Sequence, residues 1–170
     1  MNLESQVCNL ELAKKLKELG VKQESLFYYQ NNPYNNGSDC MDIMIKEHRS
    51  KNNENTIINT ECENENNEKF STFTVADLGY LLPKSIFLKT EDEEKKIFSN
   101  FRLVAGRNII IEEEKPIEVW TVNYVCDTTS EYRNWLFDPL LTKSIYDHNE
   151  ANARAKMLIY LIENNLVDLE

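Results

Sequence analysis

The amino-acid sequence predicts an α+β domain in which an antiparallel sheet of four to five strands packs against about three helices. Segments with helical periodicity lie near both ends of the chain and near its middle. Segments with strand-like alternation follow the central helix, joined by short polar turns. The 170 residues, 41% of them hydrophobic, are enough for one domain spanning residues 1–170 with its own core.

The first helix is predicted over residues 10–19, where Leu12, Leu16 and Leu19 recur on one face. Asn9 can accept hydrogen bonds from the free amides of the first turn. Gly20 can adopt the left-handed conformation that commonly ends a helix. The aromatic segment 25–29 then predicts a strand.

Residues 31–69 form a polar, Asn-rich stretch of low complexity, which we interpret as an insertion. Residues 40–45 predict a strand within it, and Ile57 with Ile58 is a candidate for a return strand. The rest of the stretch reads as loop.

A second, short helix is predicted to begin after Thr74. Thr74 and Asp77 have the spacing of a capping box, and Asp77 suits the positive first turn. The helix must end before Pro83, which lacks an amide donor and restricts the residue before it. The residues expected to face inward are Val75, Leu78, Leu81 and Leu82.

Four strands are predicted next, over residues 85–88, 101–105, 109–111 and 117–125. We interpret residues 106–108 as a hairpin connection, because Gly and Asn tolerate positive φ. Alternation in the fourth strand places Trp120, Val122 and Tyr124 on one side.

The last helix is predicted over residues 149–164. It carries a wide apolar stripe that must pack on other elements of the fold. The stripe consists of Ala151, Ala155, Leu158, Ile159 and Ile162.

Three blocks of sequence resemble small uncharacterised proteins carried by bacteriophages, prophages and intracellular bacteria. They are LELAKKLKELGVKQES at residues 10–25, FTVADLGYLLP at 73–83 and EANARAKMLIYLIEN at 150–164. That family has no assigned chemistry, so the resemblance transfers no functional residue to this chain. It implies a context, namely an accessory gene product of a mobile element.

A cytoplasmic location is expected from the absence of an apolar run of 18 residues and of a basic-then-apolar N-terminal segment. The four cysteines are widely spaced and form no CxxC pair, so we expect free thiols rather than disulfides or a metal site. They are Cys8, Cys40, Cys62 and Cys126.

The formal net charge of −10 makes direct binding to nucleic acid unfavourable, because a phosphate backbone would be repelled. No membrane association is expected either. Acidic runs at residues 61–68, 91–94 and 112–114 raise an alternative, in which the protein imitates a nucleic acid and inhibits a host protein. Lys95, Lys96 and Lys115 follow the last two runs and weaken their field.

The sequence predicts no catalytic or metal site and no cofactor. His48 and His148 lack the spacing that would bring a second ligand to the same helical face, and the four glycines are too scattered for a phosphate-binding loop. A hydrolase-type enzyme stays open as an alternative, because a site assembled only in the fold leaves no spacing signal.

The function predicted is that of a non-enzymatic protein-binding module. Tyr132, Trp135 and Phe137 are the candidate binding residues, since aromatic side chains are enriched in protein interfaces, although the same segment could plug the core. The expected partner is an unidentified protein, and association with further copies of this chain is left open.

Overall fold

The computed structural model describes residues 5–31, 41–45, 69–91, 96–126 and 143–168. In these ranges the helices are α1 (Leu10–Glu18), α2 (Val75–Leu81) and α3 (Glu150–Glu163). The strands are β1 (Phe27–Asn31), β2 (Met41–Ile45), β3 (Lys69–Ser71), β4 (Ser85–Glu91), β5 (Lys96–Glu112), β6 (Lys115–Cys126) and β7 (Ile145–Asp147). The predicted α+β class is confirmed.

The described strands form two antiparallel sheets. The larger sheet has the order β4-β5-β6-β7, which agrees with the predicted four to five strands. The smaller has the order β2-β1-β3 and contains the strand predicted over residues 40–45. The return strand proposed at Ile57 and Ile58 lies outside the described residues.

Helix α1 begins and ends as its sequence predicts. The Asn9 side chain accepts a hydrogen bond from the Leu12 amide at 3.0 Å. At the other end Gly20 has a φ of 86°, and the Val21 amide donates to the Leu16 carbonyl at 3.0 Å. Val21 and Leu16 are both buried, so the turn after the helix fixes the exit of the chain by an apolar contact as well as by hydrogen bonds.

The capping box of α2 is also confirmed. The Asp77 amide donates to Thr74 Oγ1 at 3.1 Å, and the Thr74 amide donates to Asp77 Oδ2 at 2.9 Å. Leu78 and Leu82 are buried, as predicted. Val75 and Leu81 are only partly buried against the core.

The hairpin connection predicted at residues 106–108 is wrong. β5 runs through these residues without interruption, and β6 pairs with it from Phe101↔Cys126 to Glu112↔Lys115 in one unbroken register. The turn lies instead at Glu113 and Glu114. A local rule that looks for Gly and Asn missed a turn whose two residues are both glutamates.

Helix α3 is buried on more sides than a single stripe. It packs against α1, α2, β6 and β7, so that buried residues occupy more than half of its circumference. The buried residues are Ala151, Ala153, Ala155, Met157, Leu158, Ile159 and Leu161, whereas Ile162 is only half-buried. These residues join Tyr29 and Phe70 of the smaller sheet and Phe101 and Val122 of the larger one in a common core.

Two glycine substitutions are expected to have opposite effects on stability. Gly20→Ala should lower the free energy of unfolding by about 1 kcal/mol, because an L side chain is strained at a φ of 86°. Gly106→Ala should be neutral or stabilising by up to about 1 kcal/mol, because this residue lies in an extended strand and an added Cβ meets nothing within 4 Å. Urea unfolding of both variants checks this, and equal losses would contradict it.

Candidate functional site

The hairpin of β5 and β6 extends beyond the strands that flank it. β4 pairs with β5 only as far as Ser85↔Arg102, and β7 pairs with β6 only from Trp120 to Val122. Among the described strands, none flanks residues 107–118, which we call the arm. At about 3.4 Å per residue the arm is about 20 Å long.

One face of the arm continues the apolar face that the larger sheet turns towards the core. Residues directly opposite each other in an antiparallel pair lie on the same face, as do alternate residues of one strand. Ala105, Ile109 and Ile111 therefore share a face with Val122. Ile109 is 69% exposed and Ile111 is 79% exposed, so this face leaves the core and enters solvent.

Trp120 stands where this face leaves the core. It is half-buried, and the guanidinium of Arg107 lies 5.2 Å from the centroid of its ring. A cation at this distance is attracted by the face of the indole ring. The predicted side for Trp120, Val122 and Tyr124 is correct, but Trp120 marks the edge of the core rather than its interior.

Along the arm, none of the described strands pairs with the outer edge of β5. The Leu103 amide donates to the Lys84 carbonyl on the β4 side. Since alternate residues of a strand direct their N–H and C=O groups to the same edge, those of Arg107, Ile109 and Ile111 also point away from β6. These three residues are exposed, and no strand in the described ranges covers that edge.

The outer edge of β6 differs from that of β5. By the same alternation, Pro116 and Glu118 direct their backbone to this edge. Pro116 has no amide hydrogen to donate, and edge strands that avoid further pairing commonly carry proline or charged residues. The arm therefore has one edge suited to pairing and one that resists it.

The turn at the tip of the arm holds both of its residues in the left-handed region. Glu113 has a φ of 49° and Glu114 a φ of 66°, the pattern of a two-residue type I′ turn. Such turns favour Asn-Gly, because a residue with a bulky side chain costs about 1 to 2 kcal/mol in this region. The tip is acidic as well, because Glu112 precedes the two glutamates of the turn and a single basic residue, Lys115, follows them.

A polar network joins the beginnings of α1 and α3. Asn149 caps α3 by accepting from the Ala151 amide at 2.8 Å, and its side-chain amide donates to the Val7 carbonyl at 3.2 Å. Asp147 accepts from the Asn149 amide at 2.9 Å and from Lys156 Nζ at 2.7 Å. The network positions the helices, and its carboxylate is already paired.

The stability that this network provides depends on pH through the Asp147 carboxylate. Partial burial raises its pKa, but the hydrogen bonds from Lys156, the Asn149 amide and Asn152 outweigh burial, so the pKa lies below its ordinary value. The ionised form therefore stabilises the fold above about pH 4, and this stabilisation is lost as the pH falls through the folded-state pKa.

Lys156→Met should accordingly lower the free energy of unfolding by about 1 kcal/mol or less near neutral pH, because the ion pair is partly exposed. The difference from the wild type should shrink as Asp147 becomes protonated. Urea unfolding between about pH 7 and about pH 2 measures this. A difference that stays constant across the range would contradict the role given to Asp147.

A cleft of about 370 Å³ lies between β7 and α3. Lys143, Tyr146, Tyr160 and Glu163 are among the residues that line it, and Lys143 Nζ lies 4.6 Å from the centroid of the Tyr160 ring. Glu163 also pairs with Lys15 of α1 at 3.0 Å. The cleft is wide open to solvent.

The thiol of Cys8 is buried and free, as the sequence predicts for this residue. Burial raises the pKa of the thiol, and Thr72 Oγ1 lies 4.0 Å from the sulfur. Tyr29 Oη and Thr72 Oγ1 both donate to the Cys8 carbonyl, at 3.0 and 2.7 Å. Cys8 is therefore a packed residue of the core and is not activated as a nucleophile.

A comparison of the chain with protein-family models, with curated proteins and with solved structures gives no match. The resemblance to phage and prophage proteins consequently stays a prediction. In the described ranges, no group of three His, Cys, Asp or Glu side chains could hold a metal ion, and no helix is long and apolar enough to cross a membrane.

The binding residues predicted from sequence, Tyr132, Trp135 and Phe137, lie outside the described residues, as does His48. His148 precedes α3 and places Nδ1 3.3 Å from the Glu118 carbonyl. The sequence does not single out the arm as a site, because residues 109–111 predict an ordinary strand of the sheet. Three consecutive isoleucines followed by three glutamates were the available signal.

Proposed function

We propose that the protein is a protein-binding module that recognises its partner by adding a strand to the outer edge of β5 in the arm. The observation that carries the proposal is the exposure of Ile109 and Ile111 beside backbone groups with which no described strand pairs. Strand addition draws affinity from main-chain hydrogen bonds and specificity from alternate side chains. Both kinds of group are present along residues 107–111.

The asymmetry of the two edges supports this function. Exposed apolar edge strands tend to aggregate, and natural proteins usually protect them with charge, proline or a bulge. In the arm Pro116 protects β6, whereas β5 continues in an unbroken register with isoleucines on its exposed face. An edge left open next to a protected one is the arrangement expected of a surface that binds another strand.

The setting we propose is the cytoplasm of a bacterial host, with the protein as an accessory product of a phage or other mobile element. The three resembling blocks of sequence support the mobile-element context. The free, buried thiol of Cys8 suits a reducing compartment.

The arm is tested by comparing two double variants, each of which replaces two exposed apolar residues with lysine. Ile109→Lys with Ile111→Lys alters the arm, and Leu26→Lys with Tyr80→Lys alters two exposed residues of the described part of the domain outside the arm, which we call the body. Partners captured from host cells are identified, purified and titrated with each protein after its fold has been checked by circular dichroism.

The arm variant is expected to weaken binding by at least about tenfold, since apolar residues at the centre of an interface often contribute more than 1 kcal/mol each. The body variant is expected to bind like the wild type. Equal binding by the arm variant and the wild type would overturn the proposal, and so would a loss confined to the body variant.

A further inference from the structure

We propose that the strand added to β5 comes from a second copy of this chain, so that two arms pair antiparallel with Ile110 on the two-fold axis. This inference rests on the proposed function, because it names the partner of the same edge. It rests on the sequence of this edge, whose residues suit those of a second copy that runs in the opposite direction.

The complementarity is evident when the two arms are set side by side with Ile110 opposite itself. Ile109 then faces Ile111 of the second copy, and the acidic turn that follows Glu112 comes next to Arg107. Asn108 faces Glu112, an amide donor opposite a carboxylate. Apolar residues therefore meet apolar residues at the centre, and opposite charges meet at both ends, which favours cross-strand pairs.

The direction of the backbone groups restricts the register further. Arg107, Ile109 and Ile111 point their N–H and C=O groups outward, so hydrogen bonds form only if odd-numbered residues face odd-numbered residues. A two-fold axis that passes through any residue of β5 satisfies this rule. An axis that passes between two residues does not, because odd-numbered residues would then face even-numbered ones.

The pattern of apolar and polar residues distinguishes the registers that remain. With Ile109 on the axis, Arg107 faces Ile111 and Asn108 faces Ile110 of the second copy. With Ile111 on the axis, Ile110 faces Glu112, the last residue of β5 in the second copy. The register centred on Ile110 is the one of these three in which isoleucine faces only isoleucine.

The strained turn at the tip is a second, independent observation. Glu113 and Glu114 occupy positive φ at a cost that Asn-Gly would avoid. Backbone strain of this kind is commonly found at functional sites. Pairing gives the acidic turn a role, because it then lies next to Arg107 of the second copy.

The pairing joins the two arms into a ribbon with the order β6-β5-β5-β6 and leaves the bodies at opposite ends. It involves far fewer residues than the roughly 20 to 30 per side of a standard interface. The dimer is therefore expected to be weak and to form reversibly as the protein concentration rises.

Disulfide formation tests the register. In the register centred on Ile110, residue 110 of one copy faces residue 110 of the other in a pair without mutual hydrogen bonds. The Cα atoms of such a pair are about 4.5 Å apart, so a disulfide can form. Residue 108 is separated from its copy by four residues along the strand, about 13 Å. Ile110→Cys should thus form a covalent dimer in a glutathione redox buffer, and Asn108→Cys should not.

Mass spectrometry of the linked peptide separates a bond between two copies of residue 110 from bonds to the native cysteines. Cross-linking at residue 108 equal to that at residue 110 would overturn the register. The pair of Asn108 and Glu112 gives a second test: Asn108→Glu alone should raise the dimer Kd by about tenfold, because two carboxylates then face each other, and adding Glu112→Gln should restore it.

Analytical ultracentrifugation separates failure of this inference from failure of the proposed function. If the wild type stays monomeric and Ile110→Cys does not cross-link, while the Ile109→Lys with Ile111→Lys variant loses a different protein, the arm binds that protein and the second copy is wrong. If the arm variant matches the wild type both in self-association and in partner binding, both proposals are wrong.

Discussion

Replacing Leu158 with alanine is expected to lower the free energy of unfolding by about 2 to 5 kcal/mol. Leu158 is 1% exposed and lies in α3, the helix that contacts both other helices and the larger sheet. Removing its branched end leaves a cavity that the surrounding elements close only in part. Urea unfolding followed by circular dichroism measures the loss.

Leu26 provides the matched control for this truncation. It is a leucine of the same chain but is 53% exposed, so Leu26→Ala should change the free energy of unfolding by only about 0.5 kcal/mol. Similar losses in the two variants would show that α3 is not the centre of the core.

Replacing Asp77 with alanine is expected to cost about 2 to 3 kcal/mol, the second-largest effect on stability. Asp77 Oδ2 accepts from the Thr74 amide and from Thr74 Oγ1, each at 2.9 Å, and Ser25 Oγ lies 3.0 Å away. The carboxylate therefore caps α2 and connects it to the segment before β1. Its loss leaves several partly buried donors without their acceptor.

Asp77→Asn is the control, because it keeps one oxygen acceptor while removing the charge. It should cost less than Asp77→Ala in the same unfolding assay. An alanine variant as stable as the asparagine variant would mean that the capping box contributes little to the fold.

The helix ends could be predicted from sequence because their chemistry is local. Asn9 and Thr74 cap the amides of their own first turns, and Gly20 supplies a positive φ two residues after α1 ends. Each interaction joins residues close in the chain, so the residue types alone indicate it.

The hairpin could not be predicted in the same way. The residue types around Gly106 favour a turn locally, but the long pairing with β6 keeps β5 extended and moves the turn to Glu113 and Glu114. The extent of burial around α3 has the same kind of cause. Ala153 and Leu161 lie outside the predicted stripe, and they are buried because elements distant in sequence cover them.

The candidate site depends on where neighbouring strands stop. Residues 109–111 predict a strand correctly. Nothing within them shows that the pairing of β4 with β5 extends only as far as Arg102 and leaves Ile109 and Ile111 exposed. This is a long-range property of the sheet. The aromatic binding surface predicted at Tyr132, Trp135 and Phe137 stays a prediction, because it lies outside the described residues.

Amide hydrogen exchange along β5 tests most directly whether the arm binds by strand addition. The amides of Arg107, Ile109 and Ile111 face the open edge, whereas those of Asn108 and Ile110 face β6 and serve as an internal control. The odd-numbered amides should exchange rapidly in dilute solution and become protected as the chain associates at high concentration or with a purified partner. Exchange at the same rate in dilute and associated samples would contradict the role given to the arm.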